Sequence, residues 1–127
     1  MEMISIDSLV DKRDITPKFI KIDVEGFELE ALFGALETIR KFRPVIAFEF
    51  NVLGSHNNSY FIYKLFKYNN YKIFDCFGNK INSTTWRTPK IAPIDRIAIP
   101  SELEDDIMVD SRKELDLYWE KYALKKN

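Results

Sequence analysis

Apolar and polar residues along this chain fall into blocks of two different periods. Met3-Ile4-Ser5-Ile6-Asp7 alternates and predicts a short strand, with Ser8 to Arg13 a brief polar turn or helical loop before Ile15-Thr16-Pro17. Phe19-Ile20-Lys21-Ile22 is a compact β-favouring run that stops at Asp23-Val24-Glu25-Gly26, where a glycine lets the chain leave the sheet sharply. From Phe27 the period lengthens, and Leu29, Leu32, Phe33, Leu36, Ile39 and Phe42 share one broad helical face. Acidic residues gather at the start of that helix and basic ones at its end, which suits the helix dipole, and Arg43-Pro44 stops it. Val45 to Phe50 then reads as a buried strand.

Strand, helix and strand with short connections make a βαβ unit, whose two strands lie parallel and end on the same edge of the sheet. That edge brings Asp23-Val24-Glu25-Gly26 beside Glu49-Phe50-Asn51. Open α/β sheets bind their ligands at such an edge.

Asn51 to Asn58 has a loop composition, and Tyr60 to Tyr68 predicts a second helix ending near Asn69-Asn70. Tyr71 to Phe77 is a third strand candidate, followed by a turn at Gly78-Asn79. Asn82 to Pro93 reads as an irregular loop carrying Trp86, and Ile94 to Ile99 as the last strand, expected at the far side of the sheet and able to run antiparallel. Ser111 to Leu124 has an amphipathic pattern, with Ser111 and Glu114 fitting a capping box, so residues 111–125 are expected to form a terminal helix. With no internal repeat and no linker composition, residues 1–127 are expected to form a single domain.

Composition adds mainly exclusions. Nineteen basic against twenty acidic residues give a net charge of -1, so no general basic field gathers nucleic acid or an anionic membrane. One cysteine and one histidine exclude an internal disulfide and a cysteine–histidine zinc centre, so any metal would need oxygen ligands. The absence of a long apolar run or of a basic-then-apolar start predicts a cytoplasmic setting.

The chemistry-bearing residues cluster at the predicted edge. Asp23 and Glu49 are the candidate catalytic carboxylates, and Glu25, Asn51 and His56 the candidate substrate contacts; no metal ligand is assigned. Carboxylates there suit three jobs: accepting a ligand's hydrogen bonds, acting as a general base, or holding a hard cation. Acids also serve as first-turn helix partners, the reading given to Glu28, while Gly26 is read as a backbone requirement. Cys76 within an apolar strand reads as inert core, and the aromatic series from Tyr60 to Tyr71 as packing.

The run from Lys21 to Gly26 closely resembles the hallmark of FkbM-type S-adenosylmethionine-dependent methyltransferases, and Glu28, Leu32 and Gly34-Ala35 fall where that family's pattern expects them. Ile6-Asp7-Ser8-Leu9 looks like the family's leucine–aspartate segment, and the resemblance extends over most of Ile4 to about Ile99. It implies an α/β fold with a Rossmann-like methyltransferase sheet, mostly parallel, with one antiparallel strand in the last pair. It also implies S-adenosylmethionine as cofactor and a hydroxyl of a sugar or natural product as methyl acceptor.

One departure qualifies this picture. The glycines, at 26, 34, 54 and 78, form no glycine-rich loop, so the cofactor's main cradle is missing from this sequence. The resemblance is therefore to the carboxyl-terminal part of such a domain, from a truncated gene, a fragment or a split protein needing its other part, and expected to be inactive without the amino-terminal half, which a partner chain would supply in the split case. The competing reading is a non-catalytic α/β interaction domain, or a homodimer paired through an uncovered sheet edge.

Overall fold

The computed structural model describes residues 3–24, 26–49, 59–86 and 95–104. The first element is helix α1, Ile6–Arg13, where alternation predicts a strand. Ser5 decides the matter: its Oγ accepts the Ser8 N–H at 3.1 Å, and Ile6, Leu9 and Val10 then fall at helical spacing. Asp14 ends the helix in the left-handed conformation, which a short polar side chain tolerates.

Strand β1, Phe19–Ile22, leads into α2, Glu28–Phe33, then α3, Leu36–Phe42, and strand β2, Val45–Glu49. The single predicted helix is thus two. The break falls at Gly34-Ala35, where the Gly34 carbonyl accepts the Asp7 N–H from α1 at 2.8 Å. A Cβ on Gly34 would lie 3.2 Å from Ser5 Cβ, so glycine is what lets α1 approach the break so closely. Arg43, at φ 54, terminates α3 immediately before Pro44.

Helix α4, Ser59–Tyr68, strand β3, Tyr71–Asp75, strand β4, Lys80–Ile81, and strand β5, Asp95–Pro100, complete the sheet, followed by a 3₁₀ turn at Ser101–Leu103. The short strand β4 has no counterpart in the sequence reading. It exists because Asp75 organises the turn before it, its Oδ1 accepting from the N–H groups of Phe77 at 2.9 Å and Asn79 at 2.8 Å.

Strand order is β1-β2-β5-β3-β4. The sheet is mixed and its pairing, among the described residues, mostly antiparallel: β1 and β2 pair parallel, while β2–β5, β5–β3 and β3–β4 are antiparallel. This corrects the mostly parallel expectation. The physical reason is the position of β5, which lies between β2 and β3 rather than at the far side. Since β2 and β3 both run against β5, they share a direction with β1 without any further parallel ladder forming.

One face of the sheet carries Ile22, Ile46, Phe48, Ala98, Tyr71, Ile73 and Ile81, all buried. Every described helix joins that core, α1 through Ile6, α2 through Leu32, α3 through Ile39 and α4 through Phe66. Trp86 is completely buried there, its ring centroid 5.5 Å from that of Tyr63 and 6.5 Å from that of Phe48. On the opposite face of β1, by contrast, Phe19 is 57% exposed and Lys21 is exposed. The predicted helix over 111–125 lies outside the described residues.

Candidate functional site

The parallel register of β1 and β2 pairs Ile22 with Phe48, so the next residues, Asp23 and Glu49, reach the same rim side by side. Both line a cavity of about 350 Å³, together with Phe19 and Lys21 from β1 and Asp95 and Arg96 from β5. That volume is at the small end of the range for small-molecule sites, roughly 300–1,000 Å³.

The turn after Asp23 follows from two backbone requirements. The Phe27 N–H donates to the Val24 carbonyl at 3.0 Å, and Gly26 adopts φ +88, a conformation that costs any residue with a Cβ. Glu28, buried at the start of α2, turns its carboxylate back to accept the Gly26 N–H at 3.1 Å. Glu28 therefore holds the turn, as its structural reading anticipates. Asp23 is exposed and, among the described residues, its carboxylate is committed to no hydrogen bond or ion pair.

Strand β5 brings residues that the sequence reading leaves out. Asp95 sits directly opposite Glu49 in the antiparallel ladder, and Arg96 opposite Phe48 on one side and Asp75 on the other. The ladder thus sets two carboxylates, from β2 and β5, beside each other at this rim. Arg96 is buried with its guanidinium carbon 5.3 Å from the Trp86 ring centroid; burial lowers its pKa and the nearby Asp75 charge pulls it back up. The signal that could have found this pair is the position of β5: set antiparallel beside β2, its first residues must meet the end of β2.

Cys76 is exposed and lines the cavity, which corrects its assignment to the core; the residue falls one position beyond the end of β3. Its thiol pKa is raised, by desolvation first and then by the Asp75 and Asp95 charges, which disfavours the nucleophilic thiolate. Among the described residues no group of three or more histidine, cysteine, aspartate or glutamate side chains is placed to hold a metal ion. Glu25, Asn51 and His56 lie outside the described residues.

The sequence pattern of the Methyltransferase FkbM domain matches residues 1–73, more than half of the chain, and the protein belongs to that family. The match falls on the first part of the chain, from before α1 into β3, and takes in Asp23 and Glu49; Asp95 and Arg96 lie beyond it. It stops short of the Ile99 that the sequence resemblance was expected to reach. No curated protein sequence and no solved structure matches the chain. No helix among the described residues is long and apolar enough to cross a membrane.

Proposed function

We propose that this protein forms the acceptor-binding part of an FkbM-type methyltransferase, receiving a hydroxyl-bearing sugar or natural product in the cavity at the rim of β1, β2 and β5. The observation that carries the reading is the arrival of Asp23 and Glu49 side by side at the ends of the paired parallel strands. In this reading a carboxylate oxygen of Asp23 or Glu49 accepts the hydroxyl's hydrogen bond and takes its proton as the oxygen becomes nucleophilic. Glu25, Asn51 and His56 belong to the same reading as further acceptor contacts, and the setting is cytoplasmic.

The described residues include no glycine-rich cradle for S-adenosylmethionine, which the family uses as methyl donor. The glycines, at 26, 34, 54 and 78, are too widely spaced to form a glycine-rich loop. We therefore assign the cofactor cradle to residues outside this sequence, on a segment or partner resembling the amino-terminal half of a Rossmann-like methyltransferase domain. Among the described residues β1 is the outermost strand on its side of the sheet, the position at which further strands of such a domain would pair.

Amide NMR of the ¹⁵N-labelled chain tests this directly, with methyl glycosides and S-adenosylmethionine as the two probes. Glycosides should shift amides at Asp23, Glu49 and Asp95, whereas the methyl donor should bind only after an amino-terminal FkbM-type segment is added. Binding of the donor by this chain alone would overturn the assignment of the cradle. The second reading, a non-catalytic interaction domain, draws on the same outermost strand and its exposed Phe19; it predicts partner binding that survives loss of both carboxylates.

A further inference from the structure

The face of the sheet turned away from the core changes character along its strands. At the rim, Glu49 of β2 stands opposite Asp95 of β5. Two residues further in, Ala47 pairs with Lys21 on one side and Ile97 on the other, and two further still Phe19 pairs with Val45. These residues share one face because side chains alternate along a strand, and the buried Ile22, Ile46, Phe48 and Ala98 occupy the other.

Phe19, Lys21, Ala47, Glu49 and Ile97 line the same cavity as Asp23 and Asp95. Its floor is Ala47, whose short side chain leaves space between Lys21 and Ile97 that any larger residue would enter. One end of the cavity is therefore acidic and the other apolar. Phe19 stands four residues before Asp23, about 13 Å along an extended strand. A single sugar ring whose hydroxyl meets the carboxylates does not reach that far; a second ring attached to it does.

An exposed phenylalanine alone is ordinary on a protein surface. Phe19 differs by its position, lining a cavity whose opposite end presents hydrogen-bond acceptors. Beside it on the same strand face, Lys21 carries an exposed ammonium. A flat aromatic group satisfies both neighbours, packing edge-to-face or offset against the Phe19 ring and offering its own π-face to the ammonium.

We propose that the preferred acceptor is an aryl glycoside, with its sugar at the Asp23–Glu49 rim and its aromatic aglycone laid over Ala47 and Ile97 against Phe19. This rests on the reading of that rim as the acceptor site and narrows it from any hydroxyl compound to one with an aromatic group beside the sugar. Phe19 and Ala47 are the specificity-determining residues, the first supplying the aromatic contact and the second the space.

The test is an amide NMR titration of the ¹⁵N-labelled chain with phenyl, cyclohexyl and methyl β-glucopyranosides. All three should shift Glu49 and Asp95. The phenyl compound should also shift Phe19 and Lys21 and bind roughly tenfold or more tighter than the methyl compound, with cyclohexyl between them. Phe19→Ser should erase the phenyl advantage and leave the affinity for methyl glucoside unchanged, and the exposed position lets the remaining spectrum stay native. Ala47→Leu, with Tm near that of the parent, should weaken phenyl glucoside by roughly tenfold or more by occupying the floor. Equal affinities for the phenyl and methyl compounds, cyclohexyl binding as tight as phenyl, or an advantage that survives Phe19→Ser would overturn this inference and leave the rim reading standing. Absence of any shift at Glu49 with all three glucosides would remove the rim reading itself, and this inference with it.

Discussion

Asp7 closes the amino terminus of α3 through Thr38: Asp7 Oδ1 accepts the Thr38 N–H at 2.8 Å and the Thr38 hydroxyl at 2.6 Å, while Oδ2 accepts the Glu37 N–H at 3.2 Å. α3 has no capping side chain of its own, because Ala35 stands at its N-cap. A residue from α1 therefore does the work that a local serine or aspartate does elsewhere. Asp7→Ala should lower unfolding free energy by about 1–2 kcal/mol, read from urea unfolding at neutral pH, with Asp7→Asn losing less.

Two glycines at the ends of α2 are required for different reasons, and substitution separates them. Gly26 has φ +88 with open space around it, so Gly26→Ala should cost about 1–2 kcal/mol through backbone strain alone. Gly34 has an ordinary φ of -71, but an added Cβ meets Ser5 Cβ at 3.2 Å. Gly34→Ala should accordingly be relieved by Ser5→Gly, with a favourable coupling on the order of 0.5–1 kcal/mol in a double-mutant cycle. Gly26→Ala should show no such coupling to Ser5.

Arg43 joins the end of α3 to two other parts of the chain. Its guanidinium holds Glu102 through Nε at 2.8 Å and Nη2 at 3.0 Å, and also donates to the Asn69 and Asn70 carbonyls. The hydrogen bond from Arg43 is the main reason that the Glu102 carboxyl pKa is lowered. A depressed folded-state pKa contributes stability above the unfolded value, near 4.5, and that stability is lost as pH falls through the folded pKa. Glu102→Gln should therefore lower Tm slightly at pH 7, by the equivalent of roughly 0–1 kcal/mol for so exposed a pair, and the gap to the parent should close in acid. A gap that stays constant with pH would show that the ionised carboxylate contributes nothing.

The legible parts of this fold were those governed by local pattern. Phe19–Ile22, Val45–Glu49 and Ser59–Tyr68 carry their periodicity openly, and the parallel neighbours β1 and β2 follow from one short βαβ unit. Asp23 and Glu49 could be brought together on that basis. What escaped depends on distant partners. The break at Gly34 exists because α1 approaches it, and the insertion of β5 between β2 and β3 is a long-range pairing that the local sequence of Asp95–Pro100 does not encode. Missing that insertion hid Asp95 and Arg96 from the rim. Ser5 shows a subtler failure, since one capping hydroxyl outweighed an alternation five residues long.

Methyl transfer from labelled S-adenosylmethionine to a glycoside acceptor, measured on this chain combined with an amino-terminal FkbM-type segment, tests the central claim most directly. Asp23→Asn and Glu49→Gln should each leave Tm and acceptor-induced spectral shifts near those of the parent, and at least one should lower turnover by about a hundredfold or more, as loss of a general base does. Turnover in both variants within about twofold of the parent would contradict the account, because a hundredfold effect is the lower end for such a role.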